Sequence, residues 1–112
     1  MELNKIKTYI NFLKRSQKIV YGWDTIEAYK KKAFLIIYSD DISNKQKVIN
    51  KAKMLNCKLF ETSFENINKL LDTSNCKIVL IKSYELANAI LNENQKINLL
   101  REVNLIESTT KQ

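Results

Sequence analysis

The sequence contains no histidine, which removes imidazole catalysis and imidazole–metal ligation at once. Proline is absent as well, and glycine occurs once, at Gly22, so the usual marks of turns and helix ends are almost missing. Cysteine occurs twice, at Cys57 and Cys76, without metal-ligand spacing. Each precedes a lysine at the start of an apolar run and reads as a buried free thiol. No apolar run reaches the 18 or so residues of a membrane span, and residues 1–5 do not read as a signal peptide. The expectation is a cytoplasmic protein with no membrane partner.

What is present fits one domain with a modest core: 112 residues, 45% hydrophobic and 28% charged. The net charge of +7 is unevenly spread. Up to Lys58 there are 13 basic and five acidic residues, against six and seven thereafter. A basic half on a small domain is the footprint of a nucleic-acid binder, and equally of a solvated lysine-rich surface.

Apolar spacing predicts alternating helices and strands. Leu3, Ile6, Tyr9, Ile10 and Leu13 predict a helix over residues 3–15, followed by a short strand over 18–21 and a helix over 24–32. Residues 33–38 are continuously apolar, as in a strand covered on both faces. Ser43 and Gln46 match a capping box for a helix through Leu55, and residues 58–62 read as a strand. Thr62 and Glu65 offer a second capping box, residues 76–81 a further buried strand, and Ser83 a cap for the last helix. Ile97, Leu100 and Val103 prolong that helical pattern. The expected fold is α/β, a three-layer α/β/α sandwich with a small mixed four-stranded sheet. Residues 1–95 form the domain, and residues 96–112 continue the last helix into a polar tail.

Gly22 lies between the first strand and the next helix, where a residue free to adopt unusual backbone angles lets a ligand approach the main chain. The helix that begins there would point free N–H groups at the same place, which suits a phosphate. A plain strand-to-helix turn is the alternative.

Three segments carry a family resemblance. Residues 12–22 (Phe-Leu-Lys-Arg-Ser-Gln-Lys-Ile-Val-Tyr-Gly) give a helix end, a basic turn and a short strand ending in glycine. Residues 34–43 give a buried strand followed by Ser39, Asp40 and Asp41, and residues 76–81 give a last buried strand. In this order and spacing, over residues 3–92, the chain resembles the kink-turn-binding ribosomal-protein superfamily (L-seven-Ae type), especially its small bacterial YlxQ-like branch. The resemblance implies a non-catalytic protein that binds structured RNA, ribosomal RNA included. In that family the glycine turn and the first residues of the next helix contact a sharply bent RNA. A polar side chain there reads sheared G·A pairs, a nearby lysine meets phosphate, and the loop before the fourth helix closes over flipped-out bases.

Carried onto this chain, Gly22 keeps its place, and Trp23, Asp24 and Thr25 occupy the base-reading positions. Glu27 stands near the expected lysine and reverses its charge, while Lys30, Lys31 and Lys32 follow one to two turns later. In the closing loop Ser63 and Phe64 are the candidates, with Ile67 and Asn68 where relatives end in Leu-Gly. Lys18, Lys30 and Lys31 are assigned to phosphates.

RNA readers stack unpaired bases on aromatic rings and hold the backbone with Lys or Arg, so Tyr21, Trp23 and Phe64 are candidate platforms. Trp23 also reads as a cover over the helix start, and Phe64 as a core residue just inside a capped helix. Where Lys14, Arg15, Lys18 and Lys30–Lys32 lie relative to Gly22 decides how much the basic half supports RNA. Asp40 and Asp41 could hold Mg²⁺ only with another acid ending a middle strand, where Glu61 alone is available. No catalytic residue, metal or cofactor is assigned. The rival function is a protein-interaction module that docks a partner on Ile97, Leu100, Val103 and Ile106 of the last helix.

Overall fold

The computed structural model describes residues 2–105, with burial described from Lys5 onward. Ten elements follow in order: α1 (Glu2–Arg15), β1 (Ile19–Tyr21), α2 (Trp23–Ala28), β2 (Leu35–Ser39), α3 (Lys45–Leu55), β3 (Lys58–Thr62), α4 (Phe64–Leu71), β4 (Ile78–Ile81), α5 (Tyr84–Ile97) and β5 (Arg101–Glu102). The strands form one mixed sheet in the order β1-β4-β2-β3-β5. β2 and β3 pair in parallel; β4 is antiparallel to both β1 and β2, and β5 is antiparallel to β3.

Alternation along the central strands sorts the core into two halves. Leu35, Ile37, Phe60, Val79 and Ile81 face one way, into a cluster with Ile6, Ile10 and Leu13 of α1, Ile67, Leu70 and Leu71 of α4, and Ala87 and Ile90 of α5. Ile36, Tyr38, Leu59, Ile78 and Leu80 face the other way, against Ile26 of α2 and Val48 and Ala52 of α3. Because both faces are covered, β2 and β4 are buried at every residue, which is why they are continuous apolar runs in the sequence.

With one glycine available, helix ends are turned by other residues. Asn56, Asp72 and Asn98 end α3, α4 and α5 in the left-handed conformation, at φ of 57°, 56° and 58°, and Gln17 does the same after α1 at φ 58°. Asparagine and aspartate tolerate this region better than most side chains, which suits a glycine-poor chain. Ser63 and Ser83 cap α4 and α5, accepting hydrogen bonds from the amides of Asn66 (3.1 Å) and Leu86 (3.2 Å). The cap of α4 is therefore Ser63, one residue later than the Thr62 box predicts. α3 starts after Asn44 without a side-chain cap, and Ser43 stands outside it.

The C-terminal part differs from expectation. α5 stops at Ile97, the left-handed Asn98 turns the chain back, and Arg101–Glu102 add a fifth strand beside β3. Asn94 fixes this return: its side-chain amide donates to the Leu100 carbonyl (2.9 Å), and its side-chain oxygen accepts from the Leu100 N–H (2.7 Å). Leu100, 1% exposed, then enters the first cluster, and Val103 packs on the second while its N–H donates to the Leu59 carbonyl (2.9 Å). The 97–100–103 spacing thus reflects a chain crossing from one face of the sheet to the other rather than one helical stripe. Among the described residues the sheet has five strands instead of four, and core packing continues past residue 95 to Val103 and Leu105. The stripe proposed to dock a protein partner is spent inside the domain as far as Val103. Ile106 and the polar tail lie outside the described residues.

Candidate nucleic-acid interface

Since β1, β2 and β3 run the same way and β4 opposes them, the sheet has an upper end, where β1, β2 and β3 finish and β4 starts, and a lower end. Gly22 is at the upper end. Its φ of 84° and ψ of 146° lie where side chains are disfavoured, although an added Cβ would meet nothing within 4 Å. The requirement is for the backbone angle, and the space beside it is open. The Gly22 N–H donates to the Ile78 carbonyl (3.1 Å) and its own carbonyl accepts from Ile26 (3.1 Å), so the turn ties β1, β4 and α2 together. No side chain caps α2.

The open space is a groove of about 720 Å³ lined by Tyr21, Trp23, Ile42, Asn44, Cys76 and Lys77, among others. Trp23 is half-buried against the second cluster, so it covers the start of α2 and lines the groove at once. Tyr21, Asp24 and Thr25 are exposed. Burial, and next the neighbouring Cys76, push the Tyr21 hydroxyl above its ordinary range. Burial likewise raises the Cys76 thiol, partly offset by a backbone hydrogen bond from Ile78. That sulfur is protonated at neutral pH and is a poor nucleophile.

The far wall of the groove is the loop of residues 73–77, and Asn68 holds it. Its side-chain oxygen accepts from the Thr73 hydroxyl (2.6 Å) and the Cys76 N–H (2.8 Å), and its amide donates to the carbonyls of Cys76 (2.9 Å) and Phe64 (2.8 Å). On the other side of this loop a second recess is lined by Phe64, Glu65, Asn68, Lys69, Thr73 and Ser74, and it shares Thr73 and Ser74 with the first. Phe64 is half-buried with the Lys77 ammonium 5.9 Å from its ring centroid. The Gly22 turn and the Ser63–Phe64 turn therefore flank one loop at one end of the sheet. Ser63 is committed to capping α4.

The lysines assigned to phosphates are not gathered there. Lys18 precedes β1 at the lower end, where the Lys82 N–H donates to its carbonyl (2.8 Å); at about 3.3 Å per residue it lies roughly 13 Å along the strand from Gly22. Lys30, Lys31 and Lys32 follow α2 and precede β2, also at the lower end, and are exposed and outside any helix. Lys14 donates to the Leu71 carbonyl and so closes the C-terminus of α4. The Arg15 guanidinium lies 4.9 Å over the exposed Phe12 ring.

Asp41 accepts from the Ser39 hydroxyl and pairs with Lys77 at 3.7 Å. Among the described residues no three His, Cys, Asp or Glu side chains converge to hold a metal. The upper end thus offers three aromatic rings (Tyr21, Trp23 and Phe64), two lysines (Lys69 and Lys77) and an open main-chain turn, an arrangement suited to seating flat or apolar groups.

Lys77 and Asn68 were missed as site residues by reading the sequence. Asn68 had a signal: Phe64, Ile67, Asn68 and Leu71 share one helical face, and an asparagine on an apolar face must find partners inside. Lys77 had none, since its role depends on the fold bringing residues 64 and 77 together.

No model of a known protein family matches the chain, and no curated protein matches its sequence.

Proposed function

We propose that this chain is a non-catalytic RNA-binding protein that seats a bent, kink-turn-like RNA at the upper end of its sheet. The observation that carries the reading is the convergence of the Gly22 turn, Trp23 and the Phe64–Lys77 pair around the loop of residues 73–77. Flipped-out bases need flat apolar surfaces beside an approachable backbone, and the groove offers both. In this reading the chain is a cytoplasmic member of the kink-turn-binding ribosomal-protein superfamily, and the helices on the sheet's two faces make the three-layer sandwich expected of it.

Asp24 and Thr25, exposed at the start of α2, are the base-reading candidates. Ser63 positions Phe64 by capping α4. An RNA seated in the groove reaches Lys30 and Lys31 by running along the six residues of α2, about 9 Å. Lys18 is reached by the same path around β1.

The test is fluorescence anisotropy with a kink-turn RNA and with the same RNA lacking its G·A pairs, at two salt concentrations. Tight binding that falls when the pairs are removed is expected. Equal, strongly salt-dependent binding to both leaves only a basic adhesive surface, and binding to neither overturns the proposal.

A further inference from the structure

The lower end of the sheet carries a second, differently built surface. Six lysines meet there: Lys18 before β1, Lys30 to Lys32 before β2, Lys58 at the start of β3 and Lys82 after β4. Backbone hydrogen bonds join their segments, from Lys82 to the Lys18 carbonyl (2.8 Å), from Phe34 to Ile81 (3.0 Å) and from Lys58 to Phe34 (3.3 Å). Among the described residues none of the six forms an ion pair, whereas Lys45, Lys69, Lys77 and Arg101 at other places all do. Glu27 and Glu85 lie near these lysines in sequence and Glu102 shares a recess with Lys58, while Glu61 is paired with Lys45 and Arg101, so positive charge is in excess.

Aromatic rings are interleaved with these cations. The Lys82 ammonium lies 5.9 Å from the Tyr29 centroid, and that of Lys32 lies 5.9 Å from the Phe34 centroid. The Tyr29 hydroxyl donates to the Lys32 carbonyl (2.9 Å), which fixes the loop that carries the lysines. Phe34 in turn meets Tyr84 edge-on, centroids 5.5 Å apart and planes at 65°. Tyr84 is thereby oriented by a neighbour while remaining 61% exposed, the largest exposed aromatic surface of the described residues. A ring that is oriented and still exposed is what a base needs to stack on without a large ordering cost.

We infer that this lower end binds an unpaired stretch of RNA, with Tyr84 as the stacking platform and Lys18, Lys32 and Lys82 on the phosphates. Charge complementarity selects a polyanion. The oriented, exposed ring selects a strand whose bases are free, because a duplex hides its base faces and an acidic peptide has none. The inference rests on the RNA reading above and shares Lys18 with it, but Tyr84, Lys32 and Lys82 belong to this end alone, so the two can fail separately.

The experiment measures anisotropy of a fluorescein-labelled uridine oligonucleotide, which stays unpaired, and of a duplex RNA of equal length. Wild type is compared with Tyr84→Ala, Tyr84→Phe and a triple variant with Lys18, Lys32 and Lys82 each changed to Ala. Tyr84→Ala should weaken binding to the oligonucleotide about tenfold, and Tyr84→Phe should restore it. The triple variant should flatten the slope of log affinity against log salt by about 2, as loss of three phosphate contacts on a single strand requires. Unchanged binding by Tyr84→Ala, equal binding of the duplex, or equal binding of polyglutamate each overturns the inference. Binding of kink-turn RNA without the oligonucleotide overturns this inference and leaves the upper-end reading standing; the reverse result supports the lower end and overturns the upper.

Discussion

The Lys51 ammonium donates to the Glu27 carbonyl at 2.7 Å, linking the middle of α3 to the last turn of α2. Lys51 is only 6% exposed, so this charge has been taken out of water to close a helix that is six residues long and has no side-chain cap at its start. The bond is what an isolated short helix lacks at its C-terminus, and the positive charge also complements the helix dipole there. Lys14 serves α4 in the same way. Two of the lysines in the basic half are thus structural, and the charge that remains for a partner is smaller than composition suggests.

Lys51→Ala should therefore destabilise the fold by about 2 kcal/mol, the range for a buried hydrogen bond from a charged donor. Urea unfolding checks it. A change within a few tenths would mean that α2 holds its end without Lys51.

Asn68→Ala removes four hydrogen bonds, three of which shape the loop of residues 73–77. The expected loss is about 3 kcal/mol, since the Cys76 N–H and carbonyl both lose their partner. Amide hydrogen exchange at Thr73 and Cys76 should accelerate well before the central strands respond. Asn68→Asp keeps the two accepted bonds but faces the Phe64 and Cys76 carbonyls with a carboxylate, so it should recover only part of the loss.

Burial pushes the Cys57 thiol up to about 11 from its ordinary 9.0, against a smaller lowering by a backbone hydrogen bond. The folded state then holds the proton more tightly than the unfolded one. The stabilisation is full below pH 9 and is lost as pH rises through about 11, an effect of order 2 kcal/mol. Burial raises the Tyr38 hydroxyl too, so its ionisation adds a loss of the same sign above pH 10. Unfolding midpoints measured from pH 8 to 11 should fall, and less steeply in Cys57→Ala. Native Cys57 should react with a thiol reagent only after unfolding.

Changing Lys30 and Lys31 together to Ala should weaken RNA binding for every sequence alike and reduce its salt dependence, because these side chains can supply charge but no base readout. Lys77→Ala should instead reduce the preference for an RNA with intact G·A pairs, since it stands over Phe64 beside the groove. Anisotropy titrations of the two variants separate the effects. Unchanged affinity in the lysine pair would place the RNA backbone elsewhere.

The central architecture was legible because its signals are local. The runs that form β2 and β4 are apolar almost throughout, and most helices carry their spacing in plain view. The exceptions are α2, expected over residues 24–32, which ends at Ala28, and α5, which stops at Ile97. β5 was not legible, because both of its residues are exposed and charged and its place is set by Leu100, Val103 and the Asn94 amide. The site was half legible. Gly22 announced itself by being the only glycine, whereas the lysines near it in sequence proved distant for a geometric reason. An extended strand spends about 3.3 Å per residue against 1.5 Å for a helix, so four residues of β1 carry Lys18 to the other end of the sheet.

The two-residue β5 has a consequence for behaviour in concentrated solution. Without it, β3 would present Leu59 and Phe60 and a row of free backbone groups along its outer side, a template for strands of other molecules. β5 occupies part of that row through Phe60 and Glu61, and Arg101 pairs with the Glu61 carboxylate over it. The opposite border, β1, is only three residues long and ends in the Gly22 turn. Both rims of the sheet are thereby blunted, one by a charged patch of chain and the other by brevity, and self-association into fibres is discouraged by the fold itself.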